Sequence, residues 1–366
     1  MSKPRLLLVA RTRYELPLSP SLVRKFAALQ ERFELRVLAS AADGRPHDDG
    51  TFRLVPRLAF LDGPLFYLLL PLRLRRVVRA YRPAVLVVQS AYEAALARIA
   101  LPRAKIVVEV HGDWRTATRL YGSSRRRALG PLADAVGTWG IRHADAVRTI
   151  SAYTSGLVRA VGVEPAAEFA AFMDLDLFLH PPVPLPASPA VLFVGVLERY
   201  KNIDGLARAW HLVAPRSPGA QLRLVGRGSE RALVEQLVHE LPGQTSFVER
   251  LTQAEVARAL DEASFLVLPS RSEGLGRVIV EAFLRGRGVV AMRVGGIRDI
   301  VEDGLDGVLV ETEEELADAL VRVLGDRQLA ERLGAAARHS AERWIATPEQ
   351  FAARLAELVS PYTGTP

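Results

Sequence analysis

Short apolar runs recur along the chain, separated by longer stretches whose apolar residues return every three or four positions. In the first half the runs are 6–10, 35–39, 85–88, 106–110, 146–150 and 168–172. In the second half they are 191–194, 222–225, 246–248, 265–268, 289–292 and 308–310. Most are continuous rather than alternating, the pattern of a strand buried on both faces of a parallel sheet. The intervening stretches 21–30, 202–212, 231–240, 253–262 and 313–324 carry helical periodicity. Ser19-Pro20-Ser21 opens the first of these and Thr312-Glu313-Glu314-Glu315 the last. A hydroxyl cap and an acidic first turn are helix-start signals.

Alternation of strand and helix throughout predicts an α/β fold with parallel sheets. The segment 180–189 holds five prolines in its last nine residues, which fits neither a helix nor a central strand. It reads as a stiff linker. The expected architecture is therefore two Rossmann-like, doubly wound domains of about six strands each, over 1–182 and 190–346. In such sheets ligands bind beyond the carboxyl ends of the strands, at the switch point, so two domains facing each other would form an interdomain cleft.

The 366 residues include no cysteine, which removes disulfides, thiolate metal sites and cysteine nucleophiles and fits a reducing, cytoplasmic compartment. Residues 1–185 hold 27 basic and 16 acidic side chains, and the remainder 21 and 25. A basic half beside a mildly acidic one points to an anionic partner for the first half. No nucleic-acid-binding motif accompanies that charge, so nucleic acid is not the expected partner. No apolar run approaches the roughly 20 residues of a membrane span. The run 65–72, followed by Arg73, Arg75, Arg76 and Arg79, together with Arg125-Arg126-Arg127, has the composition of a segment lying on an anionic membrane surface; a core helix with a solvated basic face fits equally.

Candidate chemistry collects in the loops after the second-half strands. Gly195 ends a strand, and Lys201 stands at the start of the next helix, where free N–H groups already favour an anion. The Gly226-Arg227-Gly228 turn follows another strand. The loop Ser272-Glu273-Gly274-Leu275-Gly276 precedes a helix start and offers backbone donors to phosphate or sugar oxygens. Glu281 lies two turns further on among apolar neighbours, and a buried carboxylate there needs a partner such as a vicinal diol. A Gly295-Gly296 turn completes the set. In the first half, His111 follows the strand 106–110 and is followed by Asp113. Asp174 and Asp176 invite a metal reading but have no third ligand nearby, and no metal-site spacing of His or Cys exists elsewhere.

In this order and context, these loops resemble the donor domain of the family 4 retaining glycosyltransferases of the GT-B fold, from about residue 191 to 344. The resemblance implies a metal-independent transfer of a hexose-type sugar from a nucleotide-sugar donor, with retention, to a glycan or lipid-linked acceptor. Catalysis would fall to Lys201 on the diphosphate, Glu273 on the transferred sugar and His111 from the first domain. Donor binding would involve Gly195, Arg199, Gly226, Val248 and Arg250 near the base, Ser272, Gly274, Leu275, Gly276, and Glu281 on the ribose. The segment 347–366 would be a helix crossing back onto the first domain. No cofactor and no metal are expected. The chain departs from the pattern at Val196, where many members have arginine, at Glu249, at Asp299, and in lacking the glycine-rich loop after the first strand. Arg11, Arg13 and Tyr14 stand there instead, and with Asp113 they form the expected acceptor side, suited by its two arginines to an anionic acceptor. A catalytically silent glycosyltransferase-like partner subunit and a nucleotide-sugar epimerase are the alternative readings.

Overall fold

The computed structural model describes residues 3–56, 62–116 and 129–364. The chain forms two compact units. One takes in the described residues up to Phe172 together with those from Ala346 onward; the other is Met173–Ile345.

The first unit is built on β1 (Arg5–Tyr14), β2 (Glu34–Ala41), β3 (His47–Asp48), β4 (Phe52–Val55), β5 (Val85–Val88), β6 (Ile106–Val110), β7 (Ala146–Thr149) and β8 (Ala167–Glu168). Their order is β3-β4-β2-β1-β5-β6-β7-β8, parallel throughout except for the short β3–β4 pair. Alternate residues of β1 feed two cores. Leu6 and Leu8 pack under the helices Pro20–Arg32 and Pro348–Thr363, while Leu7 and Val9 pack under Asp62–Tyr81 and Ala91–Ala100. Phe351, Ala352, Leu355, Leu358 and Val359 recur on one face of the final helix and belong to the first of these cores. Thr347 caps that helix through a capping box with Gln350.

The second unit carries β9 (Ala190–Val194), β10 (Gln221–Val225), β11 (Thr245–Val248), β12 (Phe265–Leu268), β13 (Gly288–Met292) and β14 (Gly307–Val310) in the order β11-β10-β9-β12-β13-β14, all parallel. The strand order reverses between β9 and β12, which is the switch point of this sheet. In the first unit the reversal lies between β1 and β5.

Three expectations need correction. The proline-rich segment belongs to the second unit rather than joining the two. Arg285 donates to the His180 carbonyl at 2.7 Å, Arg287 to Val183 at 3.1 Å and Arg327 to Pro186 at 2.9 Å. Proline lacks an N–H but keeps its carbonyl, so arginine donors can fix such a segment where a ladder cannot. The run 168–172 yields only the two-residue β8, and the β3–β4 pair has no counterpart in the expected elements. The segment 11–14, expected as a loop, continues β1 across a register shift between Val9 and Arg13.

The run 65–72 lies within the helix Asp62–Tyr81, with Phe66, Leu70, Leu74 and Val77 inward and Leu68 and Leu72 exposed. No helix among the described residues is long and apolar enough to cross a membrane. Arg125, Arg126 and Arg127 lie outside the described residues.

Candidate active site

The loops after β9 and β12 meet at the switch point of the second unit. After β9 the chain enters a short 3₁₀ turn, Arg199–Lys201, and reverses at Asn202, whose backbone is left-handed at φ 57°. Asparagine tolerates that conformation better than most residues. Its side chain then caps the helix Ile203–Val213 by accepting from Gly205 N at 3.2 Å. The reversal turns Lys201 back beneath Gly195, where an added Cβ would stand 3.7 Å from Lys201 Cε and 3.3 Å from Phe193 Cζ. The Lys201 ammonium thereby reaches the Glu273 carboxylate across the switch point, and both side chains are largely buried.

The Glu273 loop is braced from behind. Gly296 N donates to Glu273 O at 2.9 Å. A Cβ on Gly295 would stand 2.1 Å from Glu273 O, and one on Gly296 2.0 Å from Gly274 O. The Gly-Gly turn therefore supports the loop through close backbone approach. Gly226 and Gly228 act alike on the loop after β9, since added Cβ atoms would stand 1.8 Å from Gly195 O and 2.2 Å from Leu197 O.

Gly276, at φ 84°, starts the helix Arg277–Leu284, and no side chain caps this start. Glu281 is buried one turn after Arg277, which donates to Glu281 Oε1 at 2.7 Å and to the Asp174 carbonyl at 2.9 Å. Burial raises the Glu281 carboxyl above its usual range, against the opposing pull of Arg277. Gly195, Lys201, Glu273, Gly276, Arg277 and Glu281 share one groove of about 410 Å³. Phe178, Leu251 and Val256 supply apolar lining, and Gln253 adds a polar amide.

The structure thus brings together five residues singled out in the sequence: Gly195, Lys201, Glu273, Gly276 and Glu281. Arg199, Gly226, Val248, Arg250, Ser272, Gly274 and Leu275 lie in the flanking loops and strand ends, outside that lining. Sequence reasoning missed Arg277, although its i,i+4 spacing to Glu281 was the available signal. It also missed Phe178, on a 3₁₀ turn that begins at Asp176. No group of three or more His, Asp or Glu side chains suited to a metal occurs among the described residues.

The first unit has a groove of about 630 Å³ at its own switch point, lined by Arg11, Thr12, Arg13, Tyr67, Gln89, Ser90, Glu93 and His111. Tyr14 is not among them. It packs edge-on against Phe26 and Phe52, at centroid distances of 5.7 and 5.5 Å, and burial pushes its hydroxyl up to about 12. This corrects its placement on the acceptor side: after the register shift the β1 side chain points into the core. Asp113 lies outside the lining too, turned onto Arg115 at 2.7 Å.

His111 Nε2 stands 3.4 Å from Glu109 Oε2, and the other Glu109 oxygen pairs with the fully buried Arg148. Arg148 also donates to the carbonyls of Phe169 and Ala170, at 2.9 and 2.8 Å. Burial works to raise the Glu109 carboxyl, but Arg148, His111 and Lys25 together hold it well below the usual range. Glu109 and Arg148 are register partners on β6 and β7. Each is a lone charge in an apolar strand, a signal the sequence analysis passed over. Glu93 is buried, its Oε1 accepting from Arg11 N at 2.9 Å, while Oε2 has no hydrogen-bonding partner. Desolvation raises this carboxyl to about 7, although Arg11, Ser90 and Gln89 favour its charged form.

Comparison with known proteins adds family information. The family described as "Glycosyl transferases group 1" matches residues 188–326, and "Glycosyl transferase 4-like domain" matches 19–169. A D-inositol 3-phosphate glycosyltransferase of Nocardia farcinica is 38% identical over 184 residues, which is 45% of this chain and 39% of that protein. The matched region thus spans about two fifths of that relative. Sucrose-phosphate synthase from Thermosynechococcus elongatus superposes with a TM-score of 0.79 at 20% identity, covering 98% of both chains. HepE of Anabaena, solved with UDP and glucose, gives 0.70 at 19% identity over 98% of this chain and 99% of its own. These likenesses show the GT-B fold.

Proposed function

Taking as premise that the chain belongs to the glycosyl transferases of group 1, family 4, we propose that it moves a hexose-type sugar from a nucleotide-sugar donor to a glycan or lipid-linked acceptor, with retention at the anomeric carbon. The observation that carries this reading is the meeting of Lys201 with Glu273 beside an uncapped helix start, with Glu281 buried in the same groove. An ammonium and free N–H groups suit a diphosphate, and two carboxylates suit the hydroxyls of a sugar and a ribose.

In this reading Lys201 and the N–H groups around Gly274–Gly276 stabilise the departing nucleoside diphosphate, with no metal ion required. The bond from the anomeric carbon to the diphosphate oxygen breaks, and the acceptor oxygen bonds the same carbon from the same face. The hydroxyl proton leaves with the diphosphate. Glu273 supports the positive charge developing on the sugar, and Glu281 holds the ribose. His111 takes the sugar-facing role that the family resemblance implies. We assign the acceptor to the groove of Arg11, Arg13 and His111, where the arginines favour an acceptor carrying an anionic group.

Calorimetric titration of UDP, GDP, ADP and their hexose conjugates tests the donor site. One nucleotide should bind, and Lys201→Ala and Glu281→Ala should each weaken it at least about tenfold. No binding of any nucleotide at millimolar concentration would sink the proposal and favour a silent partner subunit. Product analysis by NMR with the donor so identified reports the anomeric configuration, and a free epimerised nucleotide-sugar would point to an epimerase. Activity unchanged by EDTA is the expected result, and its abolition would overturn the metal-free mechanism.

We also propose that the exposed stripe Leu68, Leu72, Arg75, Arg76 and Arg79 rests on an anionic membrane surface. Failure to co-float with anionic vesicles at low salt would exclude this.

A further inference from the structure

The β3–β4 hairpin and the helix Asp62–Tyr81 border a further hollow, of about 350 Å³, whose lining shares no residue with that of either groove. Its floor is apolar, from Pro46, Leu54, Val55 and Pro56. Its polar lining is Arg53, Arg73, Arg76, His47 and Asp48. The nearby acids are committed to the hairpin turn. Asp49 Oδ1 accepts from Thr51 N and Phe52 N at 2.9 and 2.6 Å, and its Oδ2 stands 3.3 Å from His47 Nε2. Asp48 Oδ1 accepts from Gly50 N at 3.2 Å, leaving Oδ2 a long 3.8 Å approach to Arg53 Nε. The residues that line the hollow thus include one carboxylate and three guanidinium groups.

Arg73 is the telling residue. Its Nη1 is buried with no hydrogen-bonding partner, and burial lowers its pKa. A guanidinium carries five N–H donors in a planar fork. Withdrawing such a donor from water without replacing its partner costs free energy, and natural structures leave few such groups. An oxyanion with several acceptors would neutralise the three guanidinium groups that line the hollow and take bidentate bonds from them. A carboxylate side chain would serve equally, but the hollow's own acids are held by the turn.

We propose that this hollow is a binding site for a phosphate-type oxyanion, with Arg73 as its inner donor and Arg53 and Arg76 at its rim. The site shares no residue with the donor groove, so it does not depend on glycosyl transfer. Its occupant is a free phosphate group or the phosphate of a lipid headgroup. The second source would explain why Leu68 and Leu72, exposed on the same helix, stand within two turns of Arg73 and Arg76.

The test is calorimetric titration of inorganic phosphate into the full chain. Saturable binding is expected, weakened about tenfold or more by Arg73→Gln. Arg79→Gln removes the same charge from the same helix outside the hollow and should leave affinity unchanged. Lys201→Ala should also retain binding, which separates this site from the donor groove. Absence of saturable binding, equal loss in Arg79→Gln, or loss confined to Lys201→Ala overturns the proposal. If Arg73→Gln does not fold, as judged by thermal melting, Arg53→Gln at the rim carries the same test. Displacement of the phosphate by phosphatidylglycerol vesicles, but not by phosphatidylcholine vesicles, assigns the occupant to a headgroup. No displacement assigns it to a soluble phosphate, and either result supports the site.

Discussion

A buried ion pair and a lone buried carboxyl set the energetics of the two switch-point grooves, and they behave oppositely. Lys201 and Glu273 satisfy each other in a largely dry setting. Removing one partner of such a pair leaves a buried charge, which costs about 3 kcal/mol, more than the net worth of the pair. Lys201→Met should therefore lower stability by about that amount in urea titration, and adding Glu273→Gln should recover at least half of the loss. Additive losses would show that the two groups do not couple. Glu93 carries a free-energy penalty instead. Its folded-state carboxyl titrates at about 7 against an ordinary value of 4.5, so between those values the unfolded chain releases a proton that the folded chain keeps. Ionisation thus favours unfolding as pH rises, and stability falls by about 3 kcal/mol across that window. Glu93→Gln should flatten the slope, so that the variant gains on the wild type between pH 5 and pH 8. Parallel urea midpoints would sink this reading. Lys201 and Glu273 were legible in the sequence because a lysine at a helix start after a strand-ending glycine and a glutamate in a glycine loop stand out. Glu93 was not, because one acid in an alanine-rich helix looks solvated until the fold buries it.

At the scale of elements, the strands and helices were readable because parallel strands are continuous apolar runs. The predicted helix 231–240 matches Arg231–Glu240, and the expected caps at Ser19 and Thr312 are in place. The β3–β4 hairpin escaped notice because it is short and half polar, held by side chain–backbone bonds of Asp48 and Asp49. The glycine turns show a second limit. Periodicity locates Gly226, Gly295 and Gly296 at strand ends, but it cannot say whether the open side of a glycine faces a ligand or another backbone. Gly296 separates the two cases, because its φ of −75° suits any residue and only space is at stake. Gly296→Ala must push the Gly274 carbonyl aside, and overpacking of this kind costs about 1–3 kcal/mol. The variant should melt lower and bind the donor nucleotide more weakly, because the displaced loop carries Glu273. Unchanged nucleotide affinity would mean that the brace and the site are independent.

For the whole molecule, the two units differ in how much of the chain each needs. The second unit closes its core within Met173–Ile345, around Trp210, Phe193 and Phe265, and its proline-rich strap is held by its own arginines. The first unit borrows its last helix from the far end of the chain. Phe351, Leu355, Leu358 and Val359 of that helix enter its core, and at about 2 kcal/mol each their burial is comparable to the whole stability of a domain. Residues 173–345 expressed alone should therefore unfold cooperatively and bind the donor nucleotide within a few-fold of the full chain. Residues 1–172 alone should show no cooperative transition, and should regain one when 346–366 is supplied in fusion. The reverse outcome, a stable 1–172 and an unfolded 173–345, would mean that burial in the final helix is not what holds the first unit together.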